Sequence, residues 1–86
     1  MNSTYDIVKT LLEKGANPNA RDLEGTTALM NAASGFGGSA IVKLLLESGA
    51  DPNAKDKHGN TALALALRSK RPDKVKLLKQ ATAPIH

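Results

Sequence analysis

Two histidines are the side chains of this sequence best suited to proton transfer or metal binding at neutral pH. His58 lies in a polar stretch and His86 is the last residue, and the chain has no cysteine. A metal site or a catalytic centre needs further ligands or an acid–base partner at suitable spacing. Neither histidine has a second histidine nearby or a carboxylate at helical spacing. We therefore predict no metal site and no catalytic residue, and we expect His58 on the surface.

A glycine-rich segment points to a second kind of chemistry. Residues 35–40 read Gly-Phe-Gly-Gly-Ser-Ala, which fits the pattern Gly-x-Gly-x-x-Ala of loops that bind dinucleotide phosphates. That mechanism requires a buried strand before the loop and a helix after it. The residues before Gly35 favour a helix instead, so we predict a flexible loop between two helices and no cofactor. Phe36 in this loop either packs over the helix ends or is exposed as a binding contact.

The positive charge of the chain is concentrated at its carboxyl-terminal end. Residues 1–66 carry six Lys and Arg against seven Asp and Glu, whereas residues 67–86 carry six against Asp73 alone. No aromatic residues interleave with these charges, and helical spacing is expected to scatter Lys70, Lys74 and Lys76 over different faces. We expect a solvated end of the domain. The first alternative is a specific anionic partner and the second, less favoured, is a nucleic acid; we predict that the chain does not bind nucleic acid.

Composition bears on the cellular compartment of the protein and on the residue types that form its core. Cysteine is absent, no run approaches the roughly 18 apolar residues of a membrane span, and the first residues lack the basic and apolar zones of a secretion signal. We expect a cytoplasmic protein that does not bind membranes. Aromatic residues make up 2% of the chain, so its core must come from Leu, Ile, Val and Ala, which favours packed helices.

The sequence repeats itself at an offset of 34 residues. Gly-Ala-Asn-Pro-Asn-Ala at residues 15–20 returns as Gly-Ala-Asp-Pro-Asn-Ala at residues 49–54, and the Asp, Gly, Thr, Ala and Leu that follow return with it. A period of this length is typical of stacked repeat proteins, in which each unit buries its apolar face against the next. Such proteins work through an extended surface, so we expect no enzyme activity.

Apolar spacing and glycine positions predict five helices, at residues 5–14, 27–33, 40–48, 61–68 and 73–81. Gly15 and Gly49 end two of them, because the residue after a helix often needs a positive φ. Ser39 is expected to cap the third helix. Residues 62–67 alternate Ala and Leu with the period of a strand, but both residues favour helices and the repeat register supports a helix.

This unit resembles the ankyrin repeat. Residues 22–33 follow the opening pattern Asp-x-x-Gly-x-Thr-Pro-Leu-His-x-Ala-Ala at all but two of its specified positions, and residues 45–53 match the closing pattern Leu-Leu-x-x-Gly-Ala-Asp-x-Asn. The resemblance implies one all-α solenoid domain over residues 1–86 with about two and a half repeats. We divide it into a half repeat, a full repeat, a capping repeat and a tail, at residues 4–19, 20–53, 54–81 and 82–86.

The chain departs from the family pattern inside the first helix of each repeat. Ala28 and Ala62 replace the family's proline, and Met30 and Ala64 replace its histidine. Because proline pre-sets φ at a helix start and the histidine bonds neighbouring turns, we expect both losses to lower stability. One extra residue separates the helices of the middle repeat, and we place it in the loop at residues 34–39.

The two ends of the repeat array differ. Superposing the longer helices aligns Lys74 with Ile41 and Lys79 with Leu46, so we expect the last helix to face solvent as a cap. At the other end the chain starts on the second helix of a repeat, which leaves an apolar face without part of its cover. We expect a longer native chain, a partner or a second copy to cover it. The residues of this face, and hence of a homodimer, are Tyr5, Ile7, Val8, Leu11 and Leu12.

The resemblance implies a non-catalytic module that binds another protein through the turns between repeats and the shorter, inner helices. Six residues of the links between repeats are interpreted as structural: Gly15, Pro18, Asn19, Gly49, Pro52 and Asn53. Asp22, Gly25, Asp56 and Gly59 fix the turns, which leaves the intervening side chains free for recognition. The predicted partner-binding residues are Arg21, Leu23, Glu24, Thr26, Ser34, Lys55, Lys57, His58, Asn60, Arg68 and Ser69, with Met30 and Asn31 as further candidates.

Overall fold

The structure, a computed structural model, describes residues 4–35 and 38–82. This part of the chain is helical and contains no strand. Its five helices are α1 (Thr4–Glu13), α2 (Ala28–Ala33), α3 (Ser39–Glu47), α4 (Ala62–Arg68) and α5 (Pro72–Thr82). The all-α prediction is therefore confirmed, including the helix over the alternating Ala and Leu residues.

The helices pack in two rows. α1, α3 and α5 lie side by side in one row, and α2 and α4 form the second row. Each shorter helix also packs against the longer helix that follows it, α2 against α3 and α4 against α5. This arrangement is a stack of antiparallel helical hairpins, as expected for a repeat solenoid.

The core runs along the seam between the rows. Its largest fully buried side chains are Leu29, Met30, Val42, Leu45 and Leu78. Ala32, Ala33 and Ala66 are completely buried as well, and their small size lets α2 and α4 approach closely. The aliphatic core predicted from composition is therefore present, with leucine filling the space between rows and alanine spacing the inner helices.

Two threonines begin the inner helices. The Thr27 hydroxyl accepts a bond from the Met30 amide at 3.2 Å, and the Thr61 hydroxyl accepts one from the Ala64 amide at 3.2 Å. Met30 also returns a contact, because its Sδ accepts from the Thr27 amide at 3.5 Å. Sulfur is a weak acceptor, so this second contact is the weaker of the two, and Ala64 in the second repeat offers no such group.

The expected cap at Ser39 is wrong. Ser39 is already the first residue of α3, and Gly38 takes the cap position without a side-chain hydrogen bond. The preceding connection spans residues 34–38, whereas the corresponding connection between α4 and α5 spans only residues 69–71. The middle repeat therefore has the longer loop. Phe36 lies outside the described residues, as does His86.

The predicted exposure of Lys74 is also wrong. Only 3% of its surface is exposed, and its Nζ donates to the Ala32 carbonyl oxygen at 2.7 Å. Carbonyls in the last turn of a helix lack partners within the helix, so the end of α2 offers acceptors that an isoleucine could not use. Burial lowers the pKa of the Lys74 ammonium, and the nearby Arg71 lowers it further. Lys79, by contrast, is exposed as predicted.

Candidate functional site

The first turn between repeats is built around Asp22. Its Oδ1 accepts from the Glu24 amide at 2.8 Å and from the Thr26 amide at 2.9 Å. The backbone closes the same turn, because the Asp22 amide donates to the Thr26 carbonyl at 3.1 Å and the Gly25 amide donates to the Asp22 carbonyl at 3.0 Å. One carboxylate therefore fixes the turn while the side chains around it face outward.

The second turn repeats this geometry around Asp56. Its Oδ1 accepts from the His58 amide at 2.8 Å and from the Asn60 amide at 2.9 Å, and Oδ2 accepts from Asn60 Nδ2 at 3.3 Å. These bonds, foremost that from the Asn60 amide, lower the pKa of the Asp56 carboxyl below its ordinary value. Asp56 is therefore a structural carboxylate that holds the turn in its ionised form.

The two turns are joined to each other. The Lys57 amide donates to the Glu24 carbonyl at 3.0 Å, and the Lys57 Nζ lies 2.6 Å from the Glu24 Oε2. Arg21 Nη1 donates to the Lys55 carbonyl at 2.7 Å. We call residues 21–26 and 55–60 together the turn-tip surface. Because main-chain and side-chain bonds both cross between the turns, this surface is one connected ledge.

Gly25 lies at the closest approach between the turns. Its φ is +77°, and a Cβ built on it would lie 3.1 Å from the Lys57 amide nitrogen and 3.2 Å from the Asp56 Cα. Gly59 occupies the same register in the second turn with φ +82°, yet no atom would lie within 4 Å of its Cβ. Gly25 therefore serves the backbone conformation and the contact between turns, whereas Gly59 serves the conformation alone.

Exposure differs among the predicted partner-binding residues. Leu23 is fully exposed at the tip of the first turn, and six others of the set in the two turns or at the end of α4 are exposed. Thr26, Asn60 and Ser69 are half-buried. Arg68, at the end of α4, reaches back to the second turn, where its Nη2 donates to Asn60 Oδ1 at 3.2 Å.

The two predicted serines lie away from the turn tips. Ser34 and Ser69 are the carboxyl-terminal caps of α2 and α4, at the opposite ends of these helices from the turns. The Ser34 hydroxyl donates to carbonyls of its own helix, to Met30 at 3.0 Å and to Asn31 at 3.3 Å. The structure therefore groups the turn residues with Arg68 and places these serines at a separate position.

A side-chain bridge also joins the links that follow α1 and α3. Asn19 Nδ2 donates to the Gly49 carbonyl at 3.0 Å, and its Oδ1 accepts from the Asp51 amide at 2.6 Å. Asn19 therefore spans two repeats with both ends of its amide. Within the described residues no group of three or more His, Asp or Glu side chains could hold a metal ion. The hydrogen bonds at these turns and links therefore hold the backbone in place and set the positions of the side chains.

The described helices form a stack of hairpins, with a turn centred on Asp22 or Asp56 between successive hairpins. The family model described as ankyrin repeats (3 copies) matches residues 1–86. The chain belongs to the ankyrin-repeat family. Ankyrin repeats are generally non-catalytic protein–protein interaction modules. No curated protein matched this ankyrin-repeat chain, and none of the helices in its described part has the length and apolarity to cross a membrane.

Sequence reasoning missed two features of this ankyrin-repeat chain. One is the Glu24–Lys57 pair, for which the signal was opposite charges at neighbouring positions of successive turns. The other concerns the carboxyl-terminal charges, whose predicted scatter over different faces is wrong in part. Lys74 is buried, but four cations line one open groove between α4 and α5, namely Lys70, Arg71, Lys76 and Lys79. The spacing of residues 72, 76 and 79 was the signal, since it marks one helix face.

Proposed function

We propose that this ankyrin-repeat chain binds a partner protein through its turn-tip surface. The observation that carries the proposal is the joining of the two turns by the Lys57–Glu24 and Arg21–Lys55 bonds. A surface that is ordered before binding, as the turn-tip surface is, loses little conformational entropy when a partner docks. On this ledge the fully exposed Leu23 offers an apolar contact, with charged side chains on either side of it.

The proposed partner is a protein because the ledge is mixed in character. Arg21, Lys55 and Lys57 supply positive charge, Glu24 supplies negative charge and Leu23 supplies apolar surface. A nucleic-acid surface is dominated by positive charge and often adds aromatic stacking, and the ledge has no aromatic residue other than His58. We expect recognition to depend on Leu23 and on the pattern of charges around it.

Comparative capture tests this proposal. The wild-type chain, Leu23→Asp and the exchange Glu24→Lys/Lys57→Glu are used as baits, and bound proteins are quantified by mass spectrometry. Leu23→Asp should lose the specific partner, and the exchange should lose it as well while retaining the ion pair. Lys43→Glu, on the exposed side of α3, is the control that should keep it. A partner retained by all four baits contradicts the proposal.

A second candidate function is self-association through α1. The structure favours it because α1 has no buried residue, and Tyr5, Ile7 and Leu11 are 37%, 48% and 53% exposed. Val8 and Leu12 pack against the core, so they are less available for a second chain. Apolar side chains exposed together on one helix favour association with a like surface.

Light scattering tests self-association. If α1 mediates a dimer, Ile7→Gln/Leu11→Gln should convert it to a monomer, because the exposed apolar pair is removed. Leu23→Gln is the matched control, since it removes an exposed leucine from another surface. A wild-type chain that stays monomeric at high concentration rules this function out.

A further inference from the structure

The face of α4 and α5 that points away from α2 and α3 forms an open groove of about 600 Å³. Its apolar lining comes from Leu67 at the end of α4 and from Pro72 and Val75 on α5. Leu67 is 54% exposed, although it occurs in the register of Ala33, which is completely buried in the middle repeat. The groove therefore has an exposed leucine on α4 at the position where α2, which packs against α4, has a buried alanine.

Positive charges surround this apolar lining. Lys70 and Arg71 lie in the connection before α5, and Lys76 and Lys79 lie on α5 itself. Among the described residues no acidic side chain lines the groove, and Asp73 lies on α5 outside its lining. Four cations near an apolar surface create a positive potential that attracts an acidic partner and repels a basic one.

The residues of this groove differ from those that a stacked repeat covers. In the middle repeat, Ala33 and Leu46 face the neighbouring helices, and the corresponding positions here are Leu67 and Lys79. A close inner helix needs a small residue at the first position, and an outer helix needs an apolar residue at the second. Leu67 favours a ligand with an apolar face, and Lys79 favours one that also brings acidic groups.

We propose that the groove between α4 and α5 binds an acidic, amphipathic helical segment of a partner protein. The apolar face of that segment contacts Leu67 and Val75, and its carboxylates pair with Lys76 and Lys79. α5 has 11 residues, a length of about 16 Å, so the groove accommodates about three turns of a helix. The groove is reached from the end of α4 opposite to the turn-tip surface, so the two surfaces are separate.

A labelled synthetic peptide tests the proposal by fluorescence anisotropy. The probe is a helical peptide of about twelve residues with leucines along one face, at i, i+4 and i+7, and glutamates elsewhere. We expect binding to the intact chain that weakens at high salt. Peptides with lysine or glutamine in place of glutamate, or with alanine in place of leucine, should bind at least about tenfold more weakly.

Variants assign the binding to the groove. Lys76→Glu/Lys79→Glu should weaken binding about tenfold or more, because attraction becomes repulsion. Leu67→Ala, which restores the residue type found in α2, should weaken it about tenfold by removing apolar contact. Lys43→Glu and the turn-tip exchange Glu24→Lys/Lys57→Glu are controls that should bind as the wild type does. Peptide-induced shifts of amide resonances in residues 67–80 of the wild type locate the site without any substitution.

Several results would overturn the proposal. One is binding that the groove variants leave unchanged, and another is amide shifts confined to the turn tips, which assigns the peptide to the proposed function instead. Single-stranded DNA or phosphatidylserine vesicles that bind the groove as tightly as the peptide indicate a general anion surface. A dimer that Leu67→Ala dissociates assigns the groove to a second copy. Binding that arises only after removal of residues 83–86 assigns it to the chain's own tail.

Discussion

Lys74 shows how one side chain can have a role that its charge alone does not indicate. Its position corresponds to Ile41, and it is as buried as that isoleucine while its ammonium donates to a carbonyl at the end of α2. Superposing the repeats predicted the correct position of Lys74 but the wrong environment, because the lysine was expected to keep its charge in solvent. What it lacked was the Ala32 carbonyl, which becomes a partner only when α2 and α5 are packed.

The lowered pKa of Lys74 predicts a specific pH dependence. Its ordinary value is 10.5 and the folded chain holds this proton less tightly, so the unfolded chain binds more protons between the two pKa values. The free energy of unfolding therefore rises with pH across that window, as the cost of burying the charge is removed.

The variant Lys74→Met tests this pH dependence. At neutral pH its stability should differ from that of the wild type by no more than about 2 kcal/mol, because the lost hydrogen bond and the relieved charge burial oppose each other. Urea unfolding at several values between pH 7 and pH 10 should show the wild type gaining stability relative to the variant. If the stability difference between the wild type and the variant stays constant over this range, or shifts in favour of the variant, the assignment is contradicted.

The elements of the fold differ in how far the sequence predicted them. The helices were predictable because threonine caps, glycine stops and apolar spacing are local signals, and α4 followed from its register with α2. The groove was not predictable to the same degree. It depends on which lysine of α5 is buried, since burying Lys74 turns Lys76 and Lys79 to the opposite side. The bonds between turns depended on a stacking distance that no local signal specifies.

Gly25 and Gly59 provide a matched test of the contact between turns. Both have positive φ values, +77° and +82°, so Gly→Ala costs about 1–2 kcal/mol of strain at either position. Gly25→Ala should cost at least about 1 kcal/mol more, because its Cβ presses on the backbone of the second turn and disturbs the Lys57–Glu24 bond. Thermal and urea unfolding of both variants measure the difference. Equal losses would show that the turns do not support each other.

The whole molecule has an uneven distribution of packing. α3 lies between α1 and α5 and also packs against α2, and it buries Ile41, Val42 and Leu45. Within the described chain, α1 has substantial contact with α3 and with no other helix. None of its residues is fully buried. In a repeat stack each unit is stabilised by its neighbours, so local opening is easiest where the contacts are fewest.

Hydrogen exchange should follow this distribution. We expect the amides of α1 to exchange at least about tenfold faster than those of α3, because α1 contributes only partly buried side chains to the core and therefore opens at a lower cost. Mass spectrometry of peptides covering the two helices in one sample supplies the comparison and its internal control. If α1 and α3 exchange at the same rate, the stack opens as a single unit and α1 is no separate element of stability.

The contact between Lys74 and the end of α2 also makes this lysine a chemical reporter of local opening. Every other lysine in the described part of the chain is exposed and open to acylating reagents at all times. The Lys74 amine becomes reactive only when α5 separates from α2. The acylation rate at this one position, read by mass after proteolysis, therefore reports how often the carboxyl-terminal hairpin detaches, and the surface lysines calibrate the reagent in the same tube.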